Sequence, residues 1–117
     1  MKTLFAPFAL AAMLIAGAMA PAAAHPSIDV AASNWKFTPD AIVLHVGETT
    51  QLRLTSTEGV HGIKSDALGI PMTTLTPGKF VIVDVTPKKA GTYVLHCEII
   101  CGPGHGKMTL TIKVEDK

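Results

Sequence analysis

The chain is poor in several features that would assign it to a familiar class. It has 117 residues but only two cysteines, so these can form one disulfide, one redox dithiol or part of one metal site. After residue 25 no apolar run is long enough to span a bilayer, and no segment has a convincing helical period. The 10 basic and 9 acidic residues are balanced once Lys2 is set aside. This balance argues against nucleic acid or an anionic membrane surface as the main partner.

The first 24 residues have the layout of a secretory signal peptide. Lys2 precedes an apolar stretch that ends in Ala22-Ala23-Ala24, an A-x-A cleavage pattern. We predict cleavage before His25 and an exported, periplasmic chain with no membrane span after the signal is removed. Cleavage after Ala20 and an uncleaved anchor are the alternatives.

The rest of the chain, residues 25–117, is predicted to be a single all-β domain. Turn signals rich in Gly and Pro separate segments rich in β-branched residues, several of which alternate between apolar and polar positions. Seven short strands in about 90 residues indicate an antiparallel β-sandwich. The predicted strands are residues 28–32, 35–37, 41–46, 49–56, 79–86, 92–97 and 108–114.

The stretch HCEIICGPGHGKM, residues 96–108, contains the residues best suited to chemistry. A redox dithiol of the thioredoxin type is excluded, because it needs helices that this sequence does not supply. A disulfide between Cys97 and Cys101 would close so small a loop that it would stabilise little, although it remains plausible for an oxidised, metal-depleted form. Thiolate, imidazole and thioether together form a soft ligand set that favours copper. Zinc would accept Cys and His but does not require Met108.

A ligand from elsewhere in the chain is available at His61, which follows the strand QLRLTS. The segment after it, residues 67–72, is interpreted as a partly apolar loop. A lone histidine after a strand is more often a surface or core residue than a ligand. The cluster at residues 97–108 reverses that balance.

The pattern of an upstream His followed by Cys-x-x-x-Cys-x-x-x-His-x-x-Met resembles the binuclear CuA site of cytochrome c oxidase subunit II and nitrous oxide reductase, within the cupredoxin family. The stretches NWKFTPDAIVLHVGETTQLRLTSTEGVHGIK and SDALGIPMTTLTPGKF are also similar to such domains. The resemblance implies a Greek-key β-sandwich and two copper ions. It implies that Cys97 and Cys101 bridge the metals, that His61 and His105 are terminal ligands, and that Met108 and the Ile99 carbonyl complete the set.

One position departs from the oxidase pattern. The carbonyl donor there is usually Glu, whereas Glu98 lies one position early here and Ile99 occupies the donor position. This departure, with no membrane hairpin in the sequence, favours a free-standing relative over an oxidase subunit.

The expected function is one-electron transfer rather than catalysis, because no acid, base or nucleophile constellation is present and the ligands would saturate the metal. The expected partner is a redox protein such as a c-type cytochrome, or a copper acceptor. Two alternatives stay open. One is copper delivery or storage. The other is a mononuclear blue-type centre with one copper, held by Cys101, His105, Met108 and His61, in which Cys97 takes no part.

Overall fold

The protein is described by a computed structural model that covers residues 25–99 and 102–116, with the main chain alone at residue 105. The predicted signal peptide, residues 1–24, lies outside the described residues. The described chain forms nine strands and one short 3-10 turn. The strands are β1 (Ser27–Ser33), β2 (Lys36–Thr38), β3 (Ala41–His45), β4 (Thr50–Ser56), β5 (His61–Ser65), β6 (Ile70–Leu75), β7 (Val81–Val85), β8 (Gly91–His96) and β9 (Thr109–Glu115), and the turn is His105–Lys107.

Two sheets and one hairpin make up the fold. One sheet has the order β2-β1-β4-β7, the second has the order β3-β9-β8, and β5 pairs with β6. The predicted all-β sandwich is therefore confirmed. Within the described ranges there is no helix long and apolar enough to cross a membrane.

The sheets are mixed rather than wholly antiparallel, as the sequence had led us to expect. Strand β1 runs parallel to β4, and β3 runs parallel to β9. The remaining strand pairs are antiparallel. Alternation of apolar and polar residues reports which face of a strand is buried. It does not report the direction of the neighbouring strand, so this feature was not available from the pattern.

The core lies between the two sheets and follows from the alternation along the strands. Leu52 and Leu54 of β4 are fully buried, as are Leu110 and Ile112 of β9. Burying each such side chain contributes about 1.5–3 kcal/mol. The core extends to the end of the sandwich where β8 stops and β9 starts, because Met108 belongs to the same buried cluster.

The hairpin β5–β6 replaces the loop that we predicted for residues 67–72. Its strands carry Gly62, Lys64 and Pro71, which weaken the strand pattern, and proline is tolerated in strands mainly at sheet edges. The hairpin nevertheless buries Ile63 and Ile70 to 1% exposure or less. It therefore packs against the core, and it places His61 at the first position of a strand.

Candidate metal centre

Cys97 and Met108 lie opposite each other where β8 ends and β9 begins. His96 pairs with Thr109 in the ladder, and the next N–H, that of Cys97, donates to the Met108 carbonyl at 3.2 Å. Side chains opposite each other in an antiparallel pair share one face of the sheet. Both side chains point inward, with exposures of 3% for Cys97 and 0% for Met108. His96 lies on the opposite face and is exposed, as the strand period predicts.

His61 meets this pair from the hairpin. Its side chain is fully buried, and its Nδ1 lies 3.7 Å from Cys97 Sγ. The other ring nitrogen, Nε2, lies 2.7 Å from the Glu58 carbonyl oxygen. A carbonyl can only accept, so Nε2 carries the proton and the Nδ1 lone pair faces the sulfur. This is the arrangement that metal-binding histidines use, with one nitrogen held by a hydrogen bond and the other available to the metal.

The turn between β4 and β5 holds the acceptor of His61 in place. Ser56 Oγ donates to the Gly59 carbonyl at 2.5 Å and accepts from the Glu58 N–H at 3.2 Å. The Glu58 carboxylate reaches in the other direction and accepts the N–H of Asn34 at 3.0 Å. The Glu58 carbonyl, and with it the imidazole of His61, is thereby fixed by a short hydrogen-bonded turn.

The main chain after Cys97 turns back toward the same sulfur. The Cys97 thiol donates to the Ile99 carbonyl at 3.2 Å, and the Glu98 N–H donates to the Gly62 carbonyl at 2.9 Å. A Cβ built at Gly62 would lie 2.9 Å from Ile99 Cδ1, so the absence of a side chain at Gly62 allows this close approach. The Ile99 carbonyl therefore lies beside the thiol, where the predicted ligand set needs it.

Four of the six predicted ligands are thus brought together, namely His61, Cys97, Ile99 and Met108. Cys101 and the side chain of His105 lie outside the described residues and remain predictions. In the described part of the chain, no three side chains of His, Cys, Asp or Glu cluster so that they could hold a metal ion. The donors that converge there are one imidazole, one thiol, one carbonyl and the buried thioether.

Trp35 contributes to the site in a way that the sequence did not reveal. It was interpreted as a core residue, and it does pack against the core. Its indole also lies against the ligand loop, because a Cβ at Gly102 or at Gly104 would overlap the ring atoms. The two glycines on either side of Pro103 were a signal that another group approaches the main chain closely there.

Comparisons with known proteins agree with this geometry. The model of the Cupredoxin-like domain family matches residues 6–110. Cytochrome c oxidase subunit 2 of Thermus thermophilus is 30% identical over 90 residues, which are 77% of this chain and 66% of that protein. A second sequence of the same name, from another strain record of the same organism, is matched over 53% of its length. The chain thus spans between about half and two thirds of these relatives.

Solved structures show the same fold. The periplasmic domain of cytochrome oxidase subunit II of Bradyrhizobium japonicum superimposes with a TM-score of 0.72 at 17% identity, covering 82% of this chain and 88% of that one. Auracyanin A, a blue copper protein of Chloroflexus aurantiacus, gives a TM-score of 0.58 at 17% identity, covering 79% of this chain and all of the other.

The chain belongs to the cupredoxin family. Membership implies that it binds copper. The residues present fit that metal, because the cysteine sulfur, histidine nitrogen and methionine sulfur are the soft donors that copper prefers. The orientation of His61, with Nδ1 toward Cys97 Sγ at 3.7 Å, fits a metal placed between them.

Proposed function

We propose that this protein is an exported one-electron carrier that holds two copper ions in a CuA-like centre. Its main support is the convergence of His61 Nδ1 and the Ile99 carbonyl on Cys97 Sγ, at 3.7 and 3.2 Å. These are the donors that the binuclear pattern requires around its first cysteine. The proposed ligands are His61, Cys97, Cys101, His105, Met108 and the Ile99 carbonyl.

The residues in the described part of the structure are suited to hold their donor atoms still. His61, Cys97 and Met108 are all at most 3% exposed, so water is kept from their donor atoms. The hydrogen bond from Nε2 to the Glu58 carbonyl prevents the imidazole from rotating. A bound copper pair would supply a one-electron couple in which the charge is shared between two metals. A rigid, dry ligand set favours such a couple, because little has to rearrange when the charge changes.

The proposal places no catalytic step at this site. A metal whose positions are filled by histidine, cysteine, methionine and a carbonyl has no open position for a substrate, in contrast to catalytic metal sites. We infer that the chain is not an enzyme. Its partner would be another redox protein, such as a c-type cytochrome, in the periplasm to which the predicted signal peptide directs it.

The exposed apolar side chains of Val60 and Met72 lie beside the proposed site and are suited to contact such a partner. Val60 is 44% exposed and precedes His61, and Met72 is 47% exposed. The methyl group of Met72 packs against Gly62, where a Cβ would lie 2.7 Å from it. The periplasmic domain related to this chain belongs to a cytochrome oxidase, which itself passes electrons between proteins.

Copper content and electron paramagnetic resonance of the same reduced and reconstituted sample test the proposal. We expect two coppers per chain that share one unpaired electron, and a reversible redox couple. One copper with the spectrum of a single metal would contradict the binuclear centre. Rapid loss of copper to a Cu(I) chelator, without a reversible couple, would instead support copper delivery or storage.

The variants Cys97→Ser and Cys101→Ser form a matched pair for the same question. A bridged pair of metals needs both sulfurs, so each variant should lose the binuclear spectrum. A mononuclear centre at Cys101 would survive Cys97→Ser and be lost in Cys101→Ser. Survival of the spectrum in Cys97→Ser would therefore overturn the binuclear proposal. The contact of Cys97 Sγ with His61 Nδ1 makes that outcome hard to reconcile with the structure.

A further inference from the structure

The turn between β1 and β2, formed by Asn34 and Trp35, contacts both halves of the proposed site. One half is the β4–β5 turn that carries His61, and the other is the ligand loop at residues 102–104. These halves are more than 40 residues apart in the sequence. The Asn34-Trp35 turn is distant from both in sequence and contributes no ligand of its own.

Trp35 supports the ligand loop through its indole ring. A Cβ at Gly102 would overlap Cη2, Cζ3 and Cζ2, at the six-membered end of the ring. A Cβ at Gly104 would overlap Cγ, Cδ1 and Cβ, at the end nearest the main chain. The loop therefore lies across the length of the indole. An aromatic ring of this size provides a large and rigid contact surface.

Asn34 supports the histidine half through its main chain and its amide. Its N–H donates to the Glu58 carboxylate at 3.0 Å, and the Glu58 carbonyl accepts Nε2–H of His61 at 2.7 Å. A Cβ at Gly59 would lie 2.8 Å from Asn34 Oδ1, so the side chain of Asn34 also packs against this turn. Two hydrogen bonds and one close contact connect Asn34 to the imidazole.

We propose that the Asn34-Trp35 turn is a positioning element that sets the distance between His61 and the ligand loop. It does so because one rigid dipeptide contacts the loop with its indole and the histidine turn with its main chain. The role of the turn in copper binding rests on the proposed function. Its role in placing the loop does not, because those contacts exist in the metal-free protein.

The substitution Gly104→Ala tests the loop contact, and Gly106→Ala is its matched control. Neither glycine has a positive φ, so alanine strains the main chain at neither position. At Gly104 the new methyl group meets the indole, whereas at Gly106 it meets nothing within 4 Å. We expect Gly104→Ala to weaken copper binding about 10- to 100-fold, as loss of other supporting groups around metals does. Gly106→Ala should change it by no more than about twofold.

The spectrum of bound copper distinguishes positioning from a loss of stability. Gly104→Ala should change the copper hyperfine pattern, whereas a purely destabilising change would leave the spectrum of the folded fraction as it is. Trp35→Phe should restore most of the affinity that Trp35→Ala loses. In the double variant Trp35→Ala with Gly104→Ala the two effects should not add, because the methyl group then has no indole to meet. Equal behaviour of Gly104→Ala and Gly106→Ala would overturn the proposal.

Fluorescence of the metal-free protein separates this inference from the proposed function. Trp35 is the only tryptophan of the chain, so its emission reports the loop contact alone. Gly104→Ala should shift that emission in the absence of copper, and Gly106→Ala should not. If the wild type bound no copper, the proposed function would fail and the emission would still decide the loop contact. If copper bound but neither emission nor spectrum responded to Gly104→Ala, the positioning role would fail alone.

Discussion

Met108 has two roles in this interpretation, and a pair of substitutions separates them. Its side chain is fully buried and belongs to the core cluster, and it is also a proposed copper ligand. Met108→Ala removes the packing and the sulfur together. Met108→Leu keeps the volume and removes only the sulfur. The metal-free protein reports the first role, and the copper-loaded protein reports the second.

The expected magnitudes follow from the burial. Truncation of a fully buried methionine to alanine costs about 2–5 kcal/mol, and a volume-conserving exchange for leucine costs less than about 1.5 kcal/mol. In a domain of this size, about 1 kcal/mol corresponds to a Tm shift of 4–8 °C. We therefore expect Met108→Ala to lower the Tm of the metal-free protein by at least about 8 °C, and Met108→Leu to lower it much less.

Thermal unfolding of the metal-free proteins and spectroscopy of the copper-loaded proteins provide the two measurements. Met108→Leu should fold normally yet change the copper spectrum and the reduction potential, because leucine offers no donor atom. An unchanged spectrum and potential in Met108→Leu would refute the role of the thioether as a ligand. A loss of less than about 1 kcal/mol in Met108→Ala would refute the packing argument.

Three further predictions concern other parts of the chain. Gly69→Ala should cost about 1–2 kcal/mol in chemical denaturation, because φ is +70° and no atom lies within 4 Å of the new Cβ, so only the left-handed backbone conformation is penalised; an unchanged midpoint would contradict this. Arg53→Ala should cost no more than about 1 kcal/mol, because the Arg53–Asp29 pair, at 3.0 Å, is largely exposed; a larger loss would show that the cation–π contact of Arg53 is worth more than exposure suggests. Exported protein should begin with His25, and N-terminal sequencing that finds an intact leader would contradict the predicted signal peptide.

The sequence was most informative where residues repeat with the period of a strand. The alternation in β4 and β9 identified Leu52, Leu54 and Ile112 as buried, and the structure confirms this. Cys97 and Met108 were assigned to the last and first positions of their strands, and each lies one residue beyond the strand itself. Local pattern therefore located the ladder that brings these two residues together.

The sequence was least informative about contacts between distant segments. The hairpin that carries His61 is rich in glycine and polar residues, and its strands are held by burial of Ile63 and Ile70 rather than by their own β propensity. The support of His61 by Glu58, and of the loop by Trp35, depends on how β1, β4 and the loop meet in space. No spacing along the chain encodes those meetings, so they could be found only in three dimensions.

The directions of two strands have a consequence for how this domain can be attached to other things. β1 ends just before the Asn34-Trp35 turn, beside the proposed centre, and β9 begins next to Met108, beside the same centre. Each strand has seven residues and therefore spans about 23 Å. The outer ends of both strands accordingly lie at the opposite pole of the sandwich. A linker, a lipid or a fused domain joined at either end would leave the metal-bearing surface facing outward, so the same module can serve tethered or untethered.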